Sequence, residues 1–487
     1  MFAAFPVHMA SAWESLRAHP QNPYILQFRG QPCVLRTFGK PYEVVVNTSV
    51  DYLGYLNVLQ RDGMNLVRVF GLGFYEGTPA TAKYLHPWLR KPASGTALDG
   101  LGKWDLTAWD EAYFTRFNAF VQACSDRGIV VQLSLFCTFY DDVQWRGSPF
   151  NPANNLQGYG PNNRFDCLRP VDANLLAAQQ AAVRRIVSDL NRFDNIYYEI
   201  QNEPFWNEPG IKDAQEADFH NRMLATIRSA ELGLPNRHLV AHNFPQQSAA
   251  ISSDFDVINE HYPATVQGSP IAGAEALLRD QYSRGKILAL DETDNTSTLQ
   301  TRLECWMFLL GGGGIYSGLD AHHNVYTATN IAGDNAMGSA YRGAVRNSAT
   351  YAGKLNLVAL RRNAAWLTGG IPAGTTLQAM ATPGEQYVAY WHHGKNTGTF
   401  QLSYNLIDGA SFTVAPVVAL PAGTWRAVWT RPADLGVLRT EDFTHVGGSR
   451  TLAPVTYQQD VALRIDRTGA TGVPPSTPTG LHAVDKP

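Results

Sequence analysis

Charge is scarce in this chain: 42 Asp and Glu face 39 Lys and Arg among 487 residues, a formal net charge of -3. Such a balance gives no electrostatic reason to expect nucleic acid or an anionic membrane as partner, and neutral ligands fit better. Cysteine is scarcer still. Cys33, Cys124, Cys137, Cys167 and Cys305 are odd in number, scattered and without CxxC spacing, so neither a zinc site nor a disulfide framework is indicated. Buried, inert thiols are expected, although a Cys137 to Cys167 bridge across one loop stays open. No apolar run reaches about 18 residues, so no transmembrane helix is expected. The N-terminus "MFAAFPVHMASAWESL" lacks the basic start and long apolar run of a signal peptide. HExxH is absent, as is an evident Ser with His and Asp partners, and no Gly-rich phosphate loop follows the first strand. "GGGG" at 311 to 314 precedes a strand rather than opening a helix, and reads as a tight helix-to-strand connection.

What is present is apolar. Hydrophobic residues make up 45% and aromatics 11% of the chain, enough for a large core, and the length suggests two domains. Short apolar runs alternate with helix-like segments: "PCVLRTFG" (32–39), "NLVRVFGLG" (65–73), "IVVQLSLF" (129–136), "NIYYEIQN" (195–202), "HLVAHNF" (238–244), "DVINEHY" (256–262), "KILALDET" (286–293) and "GIYSGLD" (314–320). Eight such strands separated by helical stretches, among them 107–127 and 171–192, specify an α/β chain closed as a (β/α)8 barrel over 1–370. "NPYILQFRGQPCVLR" before it reads as a β-hairpin turning at Arg29-Gly30-Gln31.

Past about residue 370 the helical period disappears. "TLQAMAT", "QYVAYWHHG", "GTFQLSYNL", "ASFTVAPV", "GTWRAVWTR" and "DVALRID" are short strands punctuated by turn residues, and predict an antiparallel β-sandwich over 371–468. The stretch 469–487 is rich in Pro, Thr and Gly and reads as a linker. Its "PPSTPTGLHAV" resembles the opening strand of a fibronectin type III module, so the chain is expected to be truncated there.

In a (β/α)8 barrel the active site lies at the C-terminal strand ends. Those ends offer Arg68, Phe136, Asn202 with Glu203, His242 with Asn243, His261 with Tyr262, Asp291 with Glu292, and Asp320 with His322 and His323. Two facing carboxylates, Glu203 and Glu292, suit glycoside hydrolysis, one protonating the leaving oxygen while the other attacks or activates water. Asp291 and Asp294 compete with Glu292 for that role, and Glu199 reads as a supporting or packing residue. The tandem histidines at 322 and 323 read as a hydrogen-bonding pair; no metal and no cofactor is called for. Aromatics crowd the loops after strands two and three, including Tyr75, Tyr84, Trp88, Trp104, Phe139, Tyr140, Trp145 and Tyr159. Sugar rings stack on such faces, and Trp145 and Trp206 are the best candidates.

"EIQNEP" on strand four with "ALDET" on strand seven resembles the clan A retaining glycoside hydrolases, most closely the cellulase-like glycoside hydrolase family 5. Arg68, "HYP" on strand six and "PFNPANNLQG" after strand three support it, and the resemblance spans roughly residues 20 to 370. It implies Glu203 as general acid/base, Glu292 as nucleophile, Asn202 on the sugar 2-hydroxyl, Arg68 holding the nucleophile ionised, and His261 with Tyr262 near the carboxylates. The family spaces its His and Tyr by one residue more, and commonly has a Trp at strand eight, for which Tyr316, His322 or His323 would substitute. The C-terminal sandwich is similar to the small β-domain that follows the barrel in several such hydrolases.

The expectation is a retaining β-glycoside hydrolase acting on β-linked oligo- or polysaccharides through a covalent intermediate. A catalytically inactive carbohydrate-binding barrel and a transglycosylase are the alternatives. A secreted or periplasmic location is expected, any signal peptide having been removed. The sugar, the linkage, endo or exo action and the oligomeric state are left open.

Overall fold

The computed structural model describes residues 14–39, 42–72, 84–204, 214–243, 251–261, 273–293, 297–318, 336–393, 395–396, 404–405 and 410–469. Eight parallel strands form the central sheet: β1 (Leu35–Phe38), β2 (Leu66–Leu72), β3 (Val130–Cys137), β4 (Ile196–Asn202), β5 (Val240–His242), β6 (Val257–Glu260), β7 (Ile287–Leu290) and β8 (Ile315–Gly318). Their order is β1-β8-β7-β6-β5-β4-β3-β2, so each of the eight apolar runs expected to be a barrel strand is one; the sandwich run GTFQLSYNL lies mostly outside the described residues. These runs read as almost continuously apolar because helices cover the outer face and the barrel interior the inner one.

The remaining seam, between β1 and β2, is stitched at one end by Asn65, while further along Phe70 donates its backbone N–H to the Tyr42 carbonyl at 2.8 Å. Asn65 donates its backbone N–H to the Arg36 carbonyl at 3.2 Å, while its side chain accepts from the Arg36 N–H at 2.8 Å and donates to the Val34 carbonyl at 3.0 Å. An asparagine side chain thus completes a ladder that the two strands do not make directly.

Helices α1 (Tyr52–Arg61), α2 (Glu111–Ser125) and α3 (Ala173–Leu190) each start at an Asp, respectively Asp51, Asp110 and Asp172, whose side chain accepts a first-turn N–H. Helix α4 (Thr298–Leu309) uses Ser297 in the same way.

The floor of the barrel is apolar: Leu35, Leu66, Val130, Tyr197, Ala241, Val257, Ala289 and Ile315 pack with Leu16 and Leu26. Leu26 belongs to the N-terminal hairpin, where Asn22–Phe28 pairs with Gln31–Cys33 and Phe28 sits opposite Gln31. The turn is therefore two residues, Arg29 and Gly30, rather than three. Both have positive φ, 49° and 78°, as a type I′ hairpin requires. Arg29 also pairs with Asp194 at 2.7 Å, locking the plug to the floor. Beyond β2 the chain makes an unexpected hairpin arm, Trp88–Thr96 with Gly102–Trp109. All five cysteines are free, Cys137 and Cys167 included.

The sandwich packs a six-stranded antiparallel sheet against a smaller one around Trp366, Trp391, Trp425 and Trp429. Its first strand is Arg361–Arg362, paired with Thr376–Thr382, and Leu367–Gly369 pairs with Val417–Leu420. The boundary expected at 370 therefore falls inside the sandwich. Of the linker expected at 469–487, all but Gly469 lies outside the described residues.

The sandwich rests on α4. Arg302 donates to both oxygens of buried Asp460 at 2.9 and 3.0 Å, Tyr390 donates to the same carboxylate at 3.0 Å, and the Trp306 and Tyr390 rings lie 5.6 Å apart. Removing one partner of a buried pair leaves the other charge uncompensated, which costs about 3–5 kcal/mol. Asp460→Ala is accordingly expected to lower stability by that order in urea denaturation, and Arg302→Met with Asp460→Leu together by much less.

Candidate active site

Arg68, on β2, lies fully inside the barrel and touches four acceptors. Its guanidinium meets Glu199 at 3.1 Å, Asp291 at 3.2 Å, Glu292 at 2.9 Å and the Asn202 side-chain oxygen at 2.5 Å. The Tyr42 and Phe70 rings each lie 5.1 Å from its charged carbon, a further attraction for a cation. Burial opposes the charge, but Asp291, Glu199 and Glu292 hold the group protonated.

Beneath it, Glu199 accepts from Gln132 at 2.8 Å, Ser134 at 2.6 Å and Asn259 at 3.1 Å. Asp291 accepts from Asn259 at 2.6 Å and also contacts Gln132. This polar layer, built from β2, β3, β4, β6 and the end of β7, separates the apolar floor from the strand ends.

His261, just past β6, joins the acids. Its Nε2 lies 2.6 Å from Asp291, and its Nδ1 lies 3.1 Å from both Glu203 and Glu292. The Asn243 amide is 2.8 Å from Nε2. Burial alone would depress this imidazole, but the Asp291 and Glu292 carboxylates carry it up to about 10. For Asp291, burial works upward and is outweighed by Arg68 and His261, leaving it at about 2. Glu292 moves the other way, to about 7, through burial and the neighbouring Glu203 carboxylate, against the pull of His261 and Arg68. One oxygen of each glutamate and one His261 nitrogen lie within 4.8 Å of one another, so the two acids compete for one charge.

Glu203 itself follows β4 with φ of 49°, a left-handed backbone that side chains adopt at a cost of about 1–2 kcal/mol. Thr138 donates to its carbonyl at 2.7 Å. Tyr140 donates to its carboxylate at 2.6 Å and accepts from the Asn202 amide at 2.7 Å. A ring of contacts results: Glu203, Tyr140, Asn202, Arg68, Glu292, His261 and back to Glu203.

Two sets, Glu203–His261–Glu292 and Glu199–His261–Asp291, have the spacing of metal ligands. The positive charge a metal would bring is already supplied by Arg68 and His261, and an imidazolium has no lone pair to offer one.

Of the expected site residues, Arg68, Asn202, Glu203, His261 and Glu292 converge in this ring. Trp145 does not. It is 6% exposed and packs edge-on against Phe139 at 5.5 Å, so it serves the core instead of a sugar face. Tyr316 is likewise buried, donating to Glu304 of α4 at 3.0 Å. His242 faces Phe255 at 5.1 Å, and burial pushes it down to about 3. Tyr262, Trp206, His322 and His323 lie outside the described residues. In the sequence Tyr140 is one loop aromatic among many, and the site also includes Gln132, Ser134 and Asn259. The last three were legible as polar residues interrupting apolar strand runs.

These shifts set the pH dependence of folding. Folded Glu292 keeps its proton through roughly pH 4.5 to 7, and folded His261 keeps its own through 6.5 to 10, where the unfolded chain has released both. Stability contributed by these two is therefore expected to fall steadily as pH rises across that range. Asp291 acts oppositely, its contribution being lost as pH falls from 3.8 through about 2. Urea unfolding of wild type and His261→Asn as a function of pH checks this: the alkaline loss between 6.5 and 10 should flatten in the variant.

No family model matches the chain, and no curated protein matches it. Solved structures do. One described as a glycoside hydrolase is 11% identical, with a TM-score of 0.57 over 95% of this chain and 99% of its own. A glycoside hydrolase family 5 protein from Bacteroides vulgatus ATCC 8482 is 12% identical, with a TM-score of 0.55 over 93% of each chain. A candidate glycoside hydrolase from the same organism is 13% identical, with a TM-score of 0.63 over 95% of this chain and 84% of its own. At these identities the likeness is one of architecture: the chain has the fold of glycoside hydrolase family 5 structures.

Proposed function

We propose that this protein is a retaining β-glycoside hydrolase acting on β-linked oligo- or polysaccharides. The observation that carries the reading is the pair Glu203 and Glu292 at the ends of β4 and β7, with carboxylate oxygens within 4.8 Å. A separation of ~5 to 5.5 Å suits direct attack by one carboxylate, whereas ~6.5 to 9.5 Å leaves room for a water between them. His261 Nδ1 lies 3.1 Å from each carboxylate, so the two acids face one nitrogen between them, and the reading takes them as a double-displacement pair.

In this reading Glu292, oriented by Arg68 at 2.9 Å, attacks the anomeric carbon as Glu203 protonates the leaving oxygen. Glu203 then takes a proton from water, which attacks the glycosyl ester and releases Glu292. Loss of the Glu292 charge on forming the ester favours the ionised form of Glu203, which suits its change from acid to base. Asn202, held by Arg68 through its oxygen, presents its amide towards the sugar 2-hydroxyl. His261 contributes a positive charge between the two acids and needs no cofactor to do so.

Glu203→Ala is expected to slow hydrolysis of substrates with poor leaving groups by about 10²- to 10⁴-fold, and to be rescued by azide with retained configuration in the glycosyl azide. Glu292→Gly should lose more activity, and azide should then yield the inverted glycosyl azide. NMR of the products on aryl β-glycosides measures both. An inactive wild type across a broad panel, or an active Glu292→Gly without azide, would sink the proposal.

A further inference from the structure

The ring around the two acids contains one member that the hydrolase reading leaves unused. Tyr140 follows β3, and its phenol fills the gap between Asn202 and Glu203, accepting from one at 2.7 Å and donating to the other at 2.6 Å. These are the two groups that a bound sugar must reach, the amide for its 2-hydroxyl and the acid for its leaving oxygen. Both cannot be satisfied at once. The second hydrogen of the Asn202 amide is directed at the Cys137 sulfur, 3.5 Å away, and its oxygen is taken by Arg68.

The proton inventory is equally constrained. Both oxygens of Glu203 accept hydrogen bonds, one from Tyr140 and one from His261 at 3.1 Å. Neither oxygen is therefore open to carry a proton to a substrate while both bonds stand. Glu292 uses a single oxygen, Oε2, towards both Arg68 and His261, and its other oxygen has no partner among the described residues. The proton that the crowded pair must keep therefore belongs on Glu292 in the resting protein, which is the reverse of what double displacement needs. Burial and the Glu203 charge raising Glu292 agree with this.

Resting on the hydrolase reading, we propose that Tyr140 is a substrate-displaced positioning residue: its phenol occupies both the Glu203 carboxylate and the Asn202 amide until a glycosyl unit takes its place and lets the proton pass to Glu203. The transfer is balanced within the ring. His261 gives its Nδ1 proton to Glu203 and receives the Glu292 proton on the same nitrogen, so Glu292 becomes the carboxylate and Glu203 the acid with no change in net charge. The local structure suits such a switch. Phe139 is buried against Trp145 and Phe150, its carbonyl accepts from Arg164 at 2.6 Å, and Asp141 caps the following short helix. The backbone is thus anchored on both sides while Tyr140 is 38% exposed.

The groups facing Glu203 are Tyr140 and Cys137 from β3 and its loop, Asn202 on its own strand, His261 from β6 and Glu292 from β7, with Arg68 and Asp291 behind them. Among these, only Tyr140 is altered by Tyr140→Phe, which keeps the ring and removes the hydroxyl. On an aryl β-glycoside the variant is expected to show a KM lowered about tenfold and the alkaline limb of kcat/KM moved up by about one pH unit, the worth of one charge-assisted hydrogen bond. Carbon-13 NMR of protein labelled in Glu carboxyls, assigned with Glu203→Gln, reads the same shift without substrate: Glu203 should titrate higher in Tyr140→Phe and Tyr140→Ala than in wild type. A KM that is unchanged or raised together with an unmoved limb, or a Glu203 titration identical in the three proteins, overturns the proposal. Absence of glycosidase activity in wild type would instead overturn the hydrolase reading, and the NMR titration would still decide the role of Tyr140. Thermal unfolding of each variant confirms that the comparison is between folded proteins.

Discussion

The buried charge of Arg68 organises the upper half of the barrel. A guanidinium removed from water has to be matched by acceptors on several sides at once, because each unmatched N–H costs more than the bond it would have made. Arg68 draws in Glu199 and Asn202 from β4 and Asp291 and Glu292 from the end of β7. The acceptors in turn need donors of their own. Gln132, Ser134, Asn259 and His261 are recruited for that purpose. Removing any one member leaves a buried charge or dipole exposed to a low-dielectric interior, so the network is held together by the penalty for its parts.

Layering gives this network its position. The floor below is closed by leucine, valine and the hairpin plug. Above it, the chain leaves each strand within a residue or two of the network, which puts His261, Glu203 and Glu292 at the edge of the polar layer instead of inside it. The same electrostatic stack thus runs from Glu199 and Asp291, fully buried at its base, to Glu203 and Glu292 at its rim. Asp291 and Glu292 illustrate the gradient. They are neighbours in sequence, yet one is driven down by two cations and the other is driven up by burial and a neighbouring acid.

Much of this was legible in the chain, and the reasons are physical. Barrel strands buried on both faces leave an apolar signature, and Asp residues preceding the helices mark their starts. Glu203 and Glu292 stood out as acids at the ends of such strands. The hairpin arm Trp88–Thr96 was not seen, since its sequence WLRKPASGT is mostly exposed and lacks alternation. The first sandwich strand is only Arg361–Arg362, too short to carry a pattern. Trp145 and Tyr316 mislead because an aromatic near a strand end is served equally well by packing. Tyr140 carries no local signal at all: its importance depends on reaching Asn202 and Glu203, which are more than sixty positions away in sequence.

The left-handed backbone at Glu203 has a consequence for how such a sequence drifts. A φ of 49° is comfortable for glycine, and asparagine tolerates it better than glutamate does. Random change that relaxes the backbone here would raise stability and abolish the acid in the same step. Backbone comfort and the presence of a carboxylate therefore pull in opposite directions at this position.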